Sequence, residues 1–235
     1  MPYRRLPNTD KARMRAIETA YEIGKKTVPT ELAFNQKLFI ETSKMYDYFQ
    51  HFLEIKKESY KNRIAVNKIF NKQFKKTKLY LSHFIQVFNM AIQRNEIDQS
   101  ERRYFDIKPD DHIVPEILTI EDILYWGEKI INGNMQRELD NKNRIYNPKP
   151  ALVKIEFENF RDILQRKNKL TSVHERYSDN IKEIRQNCDK LICQIWDKTE
   201  EYYSDFPSEK KRELSANYGV VYVERKKEKQ LKNLI

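Results

Sequence analysis

Apolar residues recur every three or four positions along most of the chain, which is the spacing of amphipathic α-helices. Thr9 and Asp10 are N-cap residues for a first helix, and Gly24 is the residue expected just beyond its end. A second helix is predicted from Pro29 to about residue 57. A third, over residues 60–92, has the most regular apolar stripe. The first hundred residues are therefore predicted to form three helices.

The stretch from residue 95 to 116 contains two prolines and several acidic residues, so we expect it to join two halves of the chain. Helical spacing then resumes. A capping-box pattern opens a short helix at Thr119, which Gly133 would end. Two prolines precede a helix over residues 151–169, and a second capping-box pattern at residues 172–175 opens a helix that reaches about residue 203.

The order short helix, medium helix, long helix occurs twice, which indicates a tandem duplication. A shift of 108 residues places Phe84 on Ile192. The same shift places Phe88 on Trp196, and all four side chains are expected to be buried. Shared helical periodicity alone would give the same match, because 108 residues are about thirty turns of 3.6 residues.

We therefore predict an all-α fold, in which a duplicated three-helix unit forms two antiparallel helical bundles or one six-helix body. The predicted boundaries are residues 1–100 for the first repeat, 101–118 for an acidic, proline-containing joint, and 119–235 for the second repeat with a charged C-terminal tail.

The composition supports helix and argues against several classes of protein. Four glycines and eight prolines in 235 residues are well below average usage. This scarcity argues against glycine-rich phosphate loops, dinucleotide-binding fingerprints and β-sandwiches, and more than about 65% helix is expected. Residues 218–223 are the one short β-branched and aromatic run, and the alternative to helix there is a strand that pairs with residues 105–107.

The two cysteines and the lack of a targeting pattern predict a reduced, cytoplasmic protein. Cys188 and Cys193 are five residues apart, so on one helix they point about 140° apart and cannot form a disulfide. The basic N-terminus is followed by no apolar segment, and no stretch approaches eighteen uncharged apolar residues. We therefore expect neither a secretion signal nor a membrane span.

The sequence contains no pattern typical of catalysis or metal binding. No histidine lies three residues after a glutamate, as di-metal helical bundles require, and His51 and His83 are predicted to face solvent. Cys188 lies within an apolar stripe, where a thiol behaves as a small hydrophobic group. We therefore predict no metal, no cofactor, no catalytic residue and no enzymatic activity.

A cluster of lysines is the most informative feature. Residues 56–78 carry nine cations and one acid, a local net charge of +8 in a chain whose formal net charge is +10. Six of these cations, called the basic stripe, fall within about 100° on a helical wheel, opposite the apolar stripe. They are Lys57, Lys61, Lys68, Lys72, Lys75 and Lys76.

The basic stripe has two interpretations. It is either a solvated helix face or a surface that binds phosphate groups. The predicted duplicate helix, residues 172–203, has five cations and seven acids, so this fold does not itself require a basic helix. This contrast favours a binding role, whereas the near absence of arginine and of interleaved aromatic residues favours a solvated face.

The chain opens with Tyr3-Arg4-Arg5-Leu6-Pro7-Asn8-Thr9-Asp10, followed by Ala12-Arg13. This opening resembles the start of a family of uncharacterised bacterial all-helical proteins, and the resemblance implies no activity. From the residues themselves, the leading hypothesis is a non-catalytic helical interaction or scaffold protein with a protein partner. The alternative is sequence-independent nucleic-acid binding through residues 57–76. No membrane partner is expected, and the oligomeric state is left open.

Overall fold

A computed structural model describes residues 2–224, and 74% of the described residues are helical, which confirms the all-α prediction. The described α-helices are α1 (Asp10–Lys26), α2 (Gln36–Gln93), α3 (Ile120–Leu139), α4 (Pro150–Tyr202) and α5 (Ser208–Asn217). A 3-10 helix spans Gln99–Phe105, and two short strands are β1 (Tyr3–Arg4) and β2 (Tyr222–Val223). None of these helices is both long and apolar enough to cross a membrane. The predicted charged tail beyond residue 224 lies outside the described residues.

The chain forms two compact units that differ from the predicted halves. Unit 1 comprises Met1–Ser59 and His174–Ile235, and unit 2 comprises Tyr60–Val173. The predicted breaks near residues 58 and 171 do not occur, because α2 and α4 are continuous there and neither place contains a glycine or proline. The capping-box pattern at residues 172–175 therefore lies inside α4, and the predicted joint lies inside unit 2. The tandem duplication stays a prediction.

Unit 1 is built on antiparallel parts of α2 and α4. The ring of Phe52 packs against that of Tyr177, with centroids 5.9 Å apart. Farther along α2, Ser59 Oγ lies 3.5 Å from His174 Nδ1. Trp196 of α4 is fully buried in the core of this unit. Residues 222–223 do form a strand, but β2 pairs with β1 and not with residues 105–107, the partner considered from the sequence.

The N-terminal segment is attached to α4 by ion pairs within unit 1. Thr9 caps α1 as predicted, since its hydroxyl accepts a hydrogen bond from the Ala12 N–H. Three ion pairs follow: Arg4 with Asp197, Asp10 with Arg185, and Arg13 with Asp189. The hydrogen bond from Arg185 holds the pKa of Asp10 below its usual range. Four of the residues that carry the family resemblance therefore have structural roles in this unit: Arg4, Thr9, Asp10 and Arg13.

Unit 2 has a core of aromatic and aliphatic side chains from α2, α3, α4 and the 3-10 helix. Phe105 of the 3-10 helix packs edge-on against Phe84 and Phe88 of α2, with ring centroids 5.5 Å and 4.8 Å apart. A buried ion pair joins the 3-10 helix to α3, because Arg137 Nε donates to Glu101 Oε2 at 2.8 Å. Phe84 and Phe88 are buried as predicted, and so are Ile192 and Trp196 in unit 1.

Two glycines were wrongly interpreted as helix ends. α1 continues past Gly24 and α3 continues past Gly133, so both lie inside helices. A Cβ atom at Gly24 would lie within 3.0 Å of the Phe39 ring, and one at Gly133 would lie within 3.0 Å of the Tyr104 carbonyl oxygen. These glycines permit close packing of a neighbouring element rather than a left-handed turn.

Candidate nucleic-acid interface

The basic stripe lies along one side of α2. The opposite side of this helix packs against the core of unit 2. Val66, Phe70 and Thr77 are buried, whereas four lysines on the far side of the helix are exposed. These four, called the lysine face, are Lys61, Lys68, Lys72 and Lys75. At about 1.5 Å of rise per residue, they form a row about 21 Å long. Lys57 is also exposed but belongs to unit 1.

Lys76, unlike the four lysines of the lysine face, forms an ion pair within unit 2. Its ammonium group lies 2.7 Å from Glu156 Oε1 of α4. The same carboxylate accepts a hydrogen bond from Gln73 Nε2 at 2.9 Å, and Thr77 Oγ1 donates to the Glu156 carbonyl oxygen at 3.0 Å. The hydrogen bond to Glu156 raises the pKa of Lys76. Lys76 therefore holds α2 against α4, and we remove it from the predicted anion-binding set.

No carboxylate within the described residues pairs with the lysine face. Other cations of the chain form ion pairs. For example, Lys129 Nζ lies 2.8 Å from Asp106 Oδ2. The chain contains no aspartate or glutamate between Glu58 and Glu96, so α2 offers no carboxylate from Lys61 to its C-terminal end. Like charges three and four residues apart, such as those of Lys68 and Lys72, destabilise a helix by about 0.2–0.5 kcal/mol per pair. The lysine face is therefore expected to make the unbound protein less stable than a chain with neutral residues at these positions.

A cavity of about 450 Å³ lies between α2 and the segment before α4 in unit 2. It is called the tyrosine cleft. Leu79, Tyr80 and His83 line it from α2, and Tyr146 and Lys149 line it from the opposite side. Leu79 and His83 follow Lys75 at four and eight residues, so the cleft continues the lysine face along the same side of the helix. Tyr146 is 75% exposed, which is unusual for so large an aromatic side chain.

A second cavity, of about 320 Å³, shares Tyr146 and Lys149 with the tyrosine cleft. Its lining also includes the exposed cations Lys142 and Arg144, and Glu138 is the one carboxylate among its described lining residues. An excess of positive charge thus adjoins the aromatic cleft. Apolar periodicity did not point to these residues, because they lie in an irregular segment between two helices. The signal that could have found them is Tyr146 flanked by arginine and lysine.

No protein-family model matches this chain, and it matches no curated protein and no solved structure. What it binds is therefore inferred from its own residues.

Of the remaining chemically reactive groups, Cys188 and His51 belong to unit 1, and His83 lines the tyrosine cleft of unit 2. Cys188 is buried, and burial raises its pKa to about 12, so it does not supply a thiolate at neutral pH. His51 and His83 are exposed, as predicted. Across residues 2–224, no group of three or more histidine, cysteine, aspartate or glutamate side chains is arranged to hold a metal ion.

Proposed function

We propose that this chain is a non-catalytic helical binding protein, and that the lysine face binds the phosphates of nucleic acid without regard to sequence. The observation that carries the proposal is a row of four exposed lysines without carboxylate partners among the described residues. Such a row attracts the phosphate backbone and releases the counterions that surround it.

The chemistry of the lysine face favours phosphate contacts over base recognition. Lysine is a compact point charge, whereas base edges are read mainly by the paired donors of arginine and by the amides of asparagine and glutamine. Exposed Ile64 and Leu79 lie on the same side of α2 and present no donor. Affinity is therefore expected to depend on charge and salt rather than on sequence.

The test compares two variants that lose the same amount of charge. In the first, the lysine face is replaced by Lys61→Gln, Lys68→Gln, Lys72→Gln and Lys75→Gln. The control carries Lys11→Gln, Lys37→Gln, Lys44→Gln and Lys190→Gln, all at exposed positions in unit 1. The measurement is fluorescence anisotropy with labelled oligonucleotides of about ten nucleotides, single-stranded and duplex, in about 50 mM salt.

We expect the lysine-face variant to bind both oligonucleotides about tenfold more weakly or worse, and the control to bind like the wild type. Circular dichroism checks that both variants remain folded. Equal affinities for all three proteins, or no binding by the wild type, would refute the proposal. In that case the protein partner favoured by the sequence becomes the leading candidate.

A further inference from the structure

We propose that the tyrosine cleft receives an unpaired base, so that the preferred ligand is single-stranded nucleic acid rather than duplex. This inference rests on the proposed function, because the lysine face supplies the phosphate contacts that bring a strand to the cleft. It adds the class of nucleic acid and the residues that distinguish it.

The first support is the chemistry of the cleft. The cleft is lined by the partly buried Tyr80 of α2 and by the exposed Tyr146 of the segment before α4, and Leu79 is 65% exposed beside them. Every nucleobase has an aromatic face, so stacking on such rings is favourable and tolerant of sequence. The volume of about 450 Å³ falls in the range of cavities that hold small organic groups.

The second support is the position of the cleft relative to positive charge. On α2, Lys72 and Lys75 precede Leu79 on the same side of the helix. On the opposite wall, Lys149 lies between the cleft and the smaller cavity that contains Arg144. Cations thus flank the aromatic surface on both sides, which matches the alternation of base and phosphate along a single strand.

A duplex does not fit this arrangement equally well. Its bases are stacked and paired inside the helix, so their faces are not available to Tyr146. A duplex therefore contacts the lysine face alone, whereas a single strand contacts the lysine face and the cleft. The expected result is tighter binding of the single strand.

The test uses the full chain and oligothymidylate of about ten nucleotides, with a duplex of equal length and thymidine monophosphate as comparison ligands. Tyr146→Ala removes the exposed ring, and Tyr146→Phe retains it. Tyr48→Ala is the control for loss of an exposed tyrosine, because Tyr48 is 54% exposed in unit 1.

We expect Tyr146→Ala to bind oligothymidylate about tenfold more weakly, with Tyr146→Phe and Tyr48→Ala close to the wild type and duplex affinity unchanged in all three. Equal binding of oligothymidylate by Tyr146→Ala and the wild type would overturn the inference. Tighter binding of the duplex would do the same, and so would binding of the mononucleotide as strong as that of the strand.

The two proposals fail in different ways. If the lysine-face variant loses affinity while Tyr146→Ala does not, phosphate binding stands and the cleft is not a base site. If Tyr146→Ala loses affinity while the lysine-face variant binds like the wild type, the cleft binds a ligand without the lysine face, and the proposed function fails together with the inference that rests on it.

Discussion

Replacing Gly133 by alanine is expected to destabilise the protein although alanine is the better helix former. Gly133 lies in the interior of α3, where the intrinsic preference for alanine is about 1 kcal/mol. The added methyl group would lie within 3.0 Å of the Tyr104 carbonyl oxygen and of two ring carbons of Phe105. The 3-10 helix or α3 must therefore shift, which disturbs the packing of Phe105 against Phe84 and Phe88.

Overpacking of this kind costs about 1–3 kcal/mol, and a backbone oxygen yields less readily than a flexible side chain. Because the better helix preference of alanine offsets about 1 kcal/mol of this cost, we expect Gly133→Ala to lower the free energy of unfolding by about 1–2 kcal/mol, measured by urea titration followed by circular dichroism. Gly24→Ala is the matched comparison, because the atoms nearest to its methyl group belong to the partly exposed side chain of Phe39 rather than to the backbone. Its effect should be smaller. A Gly133→Ala variant at least as stable as the wild type would refute this account of the packing.

Three further predictions concern buried and paired groups. Phe88→Ala and Trp196→Ala should each lower the free energy of unfolding by about 3–5 kcal/mol, because both side chains are fully buried; urea titrations showing less than about 1 kcal/mol would contradict this. Asp10→Asn should be less stable than the wild type near neutral pH, and the difference in free energy of unfolding should shrink as the pH falls below about 3.9. The reason is that the pKa of Asp10 is lowered in the folded protein, so this carboxyl group stabilises the fold only while it is ionised. Urea titrations at several pH values measure this difference, and a pH-independent gap would be evidence against the ion pair with Arg185. Cys188 should resist iodoacetamide at about pH 8 until urea unfolds the chain, whereas the partly buried Cys193 can react earlier. Peptide mapping by mass spectrometry that finds Cys188 itself rapidly modified in the folded protein would contradict its burial.

The all-helical fold and its main buried positions were predictable, because apolar spacing directly reports which side of a helix is buried. The division into units was not predictable in the same way. Helical periodicity shows where a helix is stable, but it does not show whether one helix contributes to two cores. Both α2 and α4 contribute residues to unit 1 and to unit 2. Gly24 and Gly133 show a related limit, because a glycine that ends a helix and a glycine that admits a neighbour look alike in one sequence.

The candidate site was predictable only in part. Periodicity placed the lysine face on the solvent side of α2, and the exposed positions agree with this. Periodicity also assigned Lys76 to the basic stripe. A helical wheel of α2 does not show that Glu156 of α4 lies nearby, with Oε1 2.7 Å from Lys76 Nζ. The tyrosine cleft could not be derived, since Tyr146 follows no helical register and is brought beside Tyr80 only by the fold.

The salt dependence of binding tests the central claim most directly. The observed association constant Kobs for oligothymidylate is measured at salt concentrations from about 50 to 200 mM, for the wild type, the lysine-face variant and the unit 1 control. The logarithm of Kobs is then plotted against the logarithm of the salt concentration. We predict a linear fall whose slope is smaller in the lysine-face variant by about 0.7 for each lysine that contacts a phosphate, and unchanged in the control. The same slope in all three proteins would show that the lysine face does not contact phosphate, and would contradict the account.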